Sequence, residues 1–196
     1  MARIPPGARA VVVDNGSTDG SADLARSLGA LVVHCRQRGY GAACHAGLSA
    51  STADFVSFCD CDASLDPSDV LLLLARASGH RQLIVGRRRP THRRAWPAHL
   101  RLANRELARR VRRRCGAAIT DVGPMRLARR VDLNALGLID RRAGYPVETI
   151  VRAADAGWRI TEVDVDYRPR TGTSKVTGTV RGSLQAVRDA SAALDR

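Results

Sequence analysis

Val56-Ser57-Phe58-Cys59-Asp60-Cys61-Asp62 is an apolar run that ends abruptly in two carboxylates spaced i, i+2. On an extended strand that spacing puts both side chains on one side. A strand that leaves a core and delivers two carboxylates at its carboxyl end can hold a hard divalent cation. Mg²⁺ and Mn²⁺ take few carboxylates and share their other positions with water and substrate phosphates. Asp-x-Asp alone is a weak signal, because strands often end in Asp for turn chemistry. The surrounding order of elements has to decide.

That order alternates. Ala10–Asp14 is a β-branched run with the character of a buried strand, and 15–20 (NGSTDG) is a turn of helix-capping residues. Ser21–Leu28 reads as a helix stopped by Gly29, and Ala30–His34 as a second strand. Gly39-Tyr40-Gly41 opens a helix over Ala42–Ser51, and Asp54–Asp60 is a third strand. Asp66-Pro67 has the form of a cap followed by proline, predicting a helix to about Ala77, and Gln82–Gly86 is a fourth strand. Strand character resumes over Val122–Leu127 and Ile160–Val165, with helices over Glu148–Ala156 and from Gly178 to the end. Alternating strands and helices predict an α/β domain with a mainly parallel sheet, whose ligands sit at the carboxyl ends of the strands. Asp14, Asp60, Asp62 and Gly86-Arg87 all fall there.

The 196 residues are most simply one domain, 44% hydrophobic and so globular in composition. No apolar run is long enough to span a membrane, and the first residues lack the apolar core of a signal peptide. Five cysteines, with no CxxC pair, predict a reducing compartment. Cys59-x-Cys61 reads as small buried strand residues rather than a metal motif. The formal charge is +13, and every basic residue but Lys175 is arginine, as a GC-rich coding bias would give. The charge is local. Residues 87–114 hold 12 arginines against one acid, Glu106, which leaves the remainder close to neutral. Such a patch attracts phosphates, anionic lipid or nucleic acid. Ala98–Arg114 has a thin apolar stripe of Leu100, Ala103, Leu107 and Val111, either a solvated surface helix or one lying on an anionic membrane.

The blocks VVVDNGSTDGS, RGYGAACHAGL, FVSFCDCDASLDP, VGRR, DVGPMR, GYPVE and YRPRTGTSK, in that order, resemble a family 2 glycosyltransferase of the GT-A fold. Within that family the chain is most similar to bacterial polyprenyl- or dolichyl-phosphate sugar synthases, from about Arg9 to Leu184. The resemblance implies a GDP- or UDP-sugar donor and a polyprenyl monophosphate acceptor, joined by metal-assisted inverting displacement. It implies Mg²⁺ or Mn²⁺ on Asp60 and Asp62, with Ser64 where relatives carry a third polar contact. Asp14 matches the carboxylate that meets the nucleobase, although a turn-forming Asp is an equal reading. Gly39 and Gly41 lie in the segment beside the nucleotide, with Arg38 and His45 nearby. This segment is not an NAD fingerprint, since it does not follow the first strand. A phosphate monoester acceptor is already anionic and needs cationic aiming more than a general base. The resemblance places Arg87, Arg88, Arg126, Arg168, Arg170, Ser174 and Lys175 in that work. Glu148 would orient sugar hydroxyls; Asp121 would do likewise or only cap a turn.

One element of the family is missing from the pattern. Its first apolar strand, with a Pro-x-x-Asn-Glu motif, has no counterpart here, so the sheet is expected to be short of a strand and its neighbours partly unpaired. The expected setting is peripheral, at the cytoplasmic face of the cell membrane, alone or beside a partner membrane protein, with segment 87–114 facing acceptor and lipid. A soluble or glycan acceptor and an inactive relative are the alternatives. A nucleic-acid-binding module is disfavoured by the 4% aromatic content and the lack of any recognisable module.

Overall fold

A computed structural model describes residues 3–172 and 180–194, with the side chains of 180–184 left aside. Ser174 and Lys175 lie outside the described residues. The strands are β1 (Val11–Asp14), β2 (Leu31–His34), β3 (Phe55–Phe58), β4 (Gln82–Pro90), β5 (Arg126–Arg129) and β6 (Arg159–Tyr167). The helices are α1 (Ser21–Ser27), α2 (Tyr40–Ala50), α3 (Val70–Leu74), α4 (Ala98–Cys115), α5 (Arg130–Ala135), α6 (Tyr145–Asp155) and α7 (Val180–Leu194).

The α/β expectation holds. A sheet ordered β3-β5-β4-β6 pairs β4 with β6 in parallel, while β5 runs antiparallel between β3 and β4. The strands β1 and β2 form a separate parallel pair. Among the described residues β1 pairs only with β2 and β3 only with β5. Helix α2 bridges the two, resting Gly47 on Val13 of β1 while Leu48 joins the core that includes Val56 and Phe58 of β3.

Strand alternation sorts the apolar residues onto two faces. Leu83, Val85 and Ala128 face the larger core, closed by α2, α4, α6 and α7. Ile84, Leu127, Val165 and Tyr167 face a smaller one, closed by α3 and the 91–97 segment. Helix α4 runs from one to the other, with Leu100 against the smaller core and Val111 inside the larger. Its buried stripe is rotated from the predicted one: Ala103 is exposed and Ala108 is buried. The helix stops at Gly116, which takes φ 71°, and Arg112, Arg113 and Arg114 sit in its last turn, where the helix dipole favours cations.

Boundaries moved where local chemistry overrode pattern. Strand β3 ends two residues before Asp60, so Asp60 and Asp62 sit in the turn that follows it. The strand predicted over Val122–Leu127 starts only at Arg126. An added Cβ at Gly123 would lie 2.1 Å from the Gly86 carbonyl oxygen, and Pro124 cannot donate to a ladder. Strand β4 runs on to Pro90, because its register with β6 continues from Gln82↔Arg159 to Pro90↔Tyr167.

Candidate active site

The turn after β3 is wound tightly around Asp62. Ser64 donates to Asp62 Oδ1 through its backbone N–H at 3.0 Å and its hydroxyl at 2.5 Å. Ala63 between them takes φ 62°, a left-handed conformation that an alanine adopts only when its surroundings impose it. The fully buried Ser64 hydroxyl is spent on Asp62, so any hold it has on a cation runs through that carboxylate. Asp60 titrates above the ordinary carboxylate range: burial is the main cause, repulsion by Asp62 the next, and Arg126, Arg88 and Arg170 pull it partly back. Two neighbouring carboxylates on all-oxygen chemistry, one of them made costly to ionise by burial and then by the other, suit a hard divalent cation. No group of three or more His, Cys, Asp or Glu able to hold a metal occurs among the described residues, so water and substrate would have to complete such a shell. The flanking thiols do not compete. Burial, followed by the neighbouring thiol and carboxylates, pushes Cys59 up to about 12, and Cys61 is raised as well.

The segment after β6 closes onto this turn. Arg168 N–H donates to the Ser64 carbonyl and Thr171 N–H to the Asp62 carbonyl, both at 2.8 Å. Arg168 pairs with Asp66 at 3.2 Å, whereas Arg170 reaches Asp62 at 3.6 Å and the Tyr167 hydroxyl at 3.3 Å. Asp66 is held down to about 2: burial opposes its charge, but hydrogen bonds from Ser68 and the Arg3 contact outweigh it. Beside Arg170 opens a cavity of about 430 Å³, walled by Arg88, Arg94, Trp96, Leu100, Tyr167 and Arg170. Trp96 and Tyr167 pack edge to face at 5.6 Å, and the Arg88 guanidinium lies 3.9 Å over the Trp96 ring. The cavity therefore joins an aromatic and aliphatic wall to a cationic rim next to Asp62.

Several residues expected at the site do other work. Arg88 lines the cavity but is committed to Asp121, at 2.6 and 3.0 Å through its guanidinium and 2.8 Å through its N–H. Asp121 is consumed by that pairing. Arg87 points to the opposite face of β4, as strand alternation requires, and shares Asp164 with Arg89. Arg126 is 0% exposed, with Nη1 donating to the Gly123 carbonyl and Nε and Nη2 buried without a partner. Phe58, Tyr40 and Tyr145 surround it, and it acts on Asp60 as a positive charge set behind the carboxylate. Glu148, at 1% exposure, accepts from the Ile139 and Asp140 amides and pairs with Arg152 at 3.0 Å. It anchors the 138–142 loop instead of facing a ligand.

Gly39 and Gly41 answer to that same loop. An added Cβ would stand 2.1 Å from the Arg141 carbonyl oxygen at Gly39 and 2.5 Å from that of Asp140 at Gly41. The need for glycine is close packing, not approach to a ligand, and Gly41 and Ala42 donate to the Arg142 and Arg141 carbonyls. Asp14 accepts from Ser17 N–H at 2.7 Å and lies 3.1 Å from His34 Nδ1; the Ser17 bond is the main reason it titrates below the usual range. It occupies the end of β1 as expected. Its neighbour Asn15 ties that strand end to the Cys35–Gly39 segment through three hydrogen bonds. The residues that sequence reasoning passed over are Trp96 and Tyr167. A signal for the first existed: one of only two tryptophans stands inside the arginine segment of an aromatic-poor chain.

Two carboxylates beyond a strand end of an α/β sheet thus stand beside a cationic cavity. The profile of Glycosyl transferase family 2 matches residues 4–137, and the chain belongs to that family. It is 47% identical over 190 residues to an uncharacterized glycosyltransferase of Mycobacterium tuberculosis H37Rv, covering 96% of this chain and 87% of that protein. It is 30% identical over 175 residues to a dolichyl-phosphate hexose transferase of Haloferax volcanii, covering 89% and 76%. In fold it resembles the glucosyl-3-phosphoglycerate synthase of M. tuberculosis in complex with UDP, with a TM-score of 0.70 at 22% identity over 94% of this chain and 66% of that one. The chain thus spans just under two thirds of that structure. Among the described residues no helix is long and apolar enough to cross a membrane.

Proposed function

We propose that the chain transfers one monosaccharide from a GDP- or UDP-sugar to a polyprenyl or dolichyl monophosphate. The observation that carries this reading is that Arg170, on the arginine rim of a cavity with an aromatic wall, reaches Asp62 at 3.6 Å. The carboxylates and the cavity supply two different things, a place for a cation with a diphosphate and a place for an amphiphilic anion. The relative from H. volcanii, by its description a dolichyl-phosphate hexose transferase, supports the same acceptor class.

In this reading Asp60 and Asp62 would hold Mg²⁺ or Mn²⁺, which neutralises charge on the departing nucleoside diphosphate. Ser64 and Ala63 fix the Asp62 carboxylate, and Arg126 keeps a positive charge behind Asp60. Arg170 and Arg94 hold the acceptor phosphate, while Trp96, Leu100 and Tyr167 take the first apolar carbons of its chain. An acceptor oxygen attacks the anomeric carbon as the bond to the donor phosphate breaks. The electron pair leaves with the nucleoside diphosphate, and the configuration inverts. No protein base is needed, because the attacking oxygen already carries charge.

The test is transfer of labelled sugar from a panel of GDP- and UDP-sugars, with Mg²⁺, Mn²⁺ or EDTA, to polyprenyl phosphate or to 3-phosphoglycerate. Metal-dependent labelled lipid is the expected result. Label entering only 3-phosphoglycerate would move the acceptor to the soluble class, the reading favoured by the fold likeness to glucosyl-3-phosphoglycerate synthase.

A further inference from the structure

The outward face of α4 carries charge that the proposed transfer leaves unused. Its 18 residues make a rod of about 27 Å. Ala108 and Val111 turn inward, which leaves Arg101, Arg105, Arg109, Arg112 and Arg113 exposed or half-exposed on the far side. Arg109 is held by Glu106, the only acid in the segment. Among the described residues the side chains of Arg101, Arg105 and Arg112 have no hydrogen bond or ion pair, whereas Arg110 and Arg114 are held by Ser191 and Asp155. In the middle of this face stands Leu102, 66% exposed, the most exposed of the large hydrophobic residues described. An exposed apolar side chain flanked by the unpaired guanidinium groups of Arg101 and Arg105, on a helix anchored by its opposite side, is what an interfacial helix presents to lipid.

The cavity argues for the same direction. Its wall includes Leu100 and Asn104 from the first half of α4 and Arg94 and Trp96 from the segment leading into it. The cavity thus lies beside the first half of α4 and the arginine pair that precedes it. A nucleic-acid surface would be expected to offer several stacking rings along the charged face, and α4 carries no Phe, Tyr or Trp and a single histidine, His99.

We infer that the exposed face of α4, with Arg93 and Arg94 before it, docks on a bilayer surface of anionic phospholipid and brings the cavity to the lipid phosphates. The inference extends the proposed acceptor reading, but its test uses neither donor nor acceptor. The whole chain is sedimented with vesicles of phosphatidylcholine alone or with about one third phosphatidylglycerol, without metal, nucleotide sugar or polyprenyl phosphate. It should pellet with the anionic vesicles only and be released by about 0.5 M salt. The triple variant Arg101→Glu, Arg105→Glu, Arg112→Glu should weaken binding about a hundredfold or more, with its thermal transition unchanged. Leu102→Ser should weaken it severalfold. Reversing three exposed arginines elsewhere, Arg9, Arg36 and Arg76, should change it less than about threefold. Equal losses in both triple variants would reduce the effect to net charge and overturn the inference. So would no pelleting, equal pelleting with neutral vesicles, or displacement from anionic vesicles by single-stranded RNA at lower concentration than by added lipid. Failure of sugar transfer to polyprenyl phosphate would alter none of these readouts.

Discussion

Asp60 and Asp62 are close in sequence but not equivalent. Asp62 is fixed by Ser64 and approached by Arg170, whereas Asp60 is half-buried and titrates upward. Asp60→Ala or Asp62→Ala should cut metal-dependent transfer by about three orders of magnitude with the circular dichroism spectrum unchanged. Full activity in either would sink the cation assignment. Asp60→Asn separates charge from shape. A carboxyl whose folded pKa is raised stabilises the fold only while protonated, and that contribution is lost as pH rises through the raised value. In EDTA the Asn variant should therefore melt above the parent at pH 7, and the two should converge as pH falls below about 4. The arginines divide in the same way. Arg170→Ala should raise the acceptor KM by at least about tenfold, whereas Arg87→Ala, which loses only a surface pairing with Asp164, should stay within about twofold. The pair of carboxylates was legible in the sequence because charge ending an apolar run is a local signal. The fates of Arg87 and Arg88 were not, since alternation sends neighbours to opposite faces and only the neighbouring elements decide which face holds the cavity.

At the scale of elements, the loop over 138–142 is held from both sides. Glu148 in the first turn of α6 accepts its amides, and α2 packs Gly39 and Gly41 against its carbonyls. Removing this buried carboxylate leaves the Ile139 and Asp140 amides without their acceptor, while Arg152 keeps the Leu136 carbonyl. Glu148→Ala should cost about 3–5 kcal/mol in urea unfolding, and Glu148→Gln less. If Glu148 faced the sugar instead, activity would fall at unchanged stability. The periodic elements were readable: each of the six strands has a counterpart in the alternation of apolar runs. What escaped was set by distant partners. Helix α5 follows β5 with no cap signal of its own, and Glu148 reads as a site residue until the loop it anchors is folded against it.

At the scale of the molecule, stability is unevenly spread. Strand β4 and strand β6 are matched over nine residue pairs and line both cores. The β1–β2 pair is matched over four, none of its eight residues is buried, and α1, which connects the strands, buries none either. With β1 paired only to β2 among the described residues, this unit has little apolar contact to resist opening, so it should unfold locally well before the rest. Amides of β1 and β2 should exchange at least about a hundredfold faster than those of Leu83, Ile84 and Val85. The same measurement reaches function, because Asp14 ends β1 and Asn15 ties it to the loop before α2. If that strand end meets the nucleobase, UDP or GDP with Mn²⁺ should slow exchange in β1 and in residues 35–39 while leaving β4 unchanged. Uniform slow exchange without nucleotide would mean that the two sheets open as one unit despite their separation. Fast exchange that no nucleotide alters would remove Asp14 from the donor site and leave it as the turn-forming residue that its Ser17 hydrogen bond also describes.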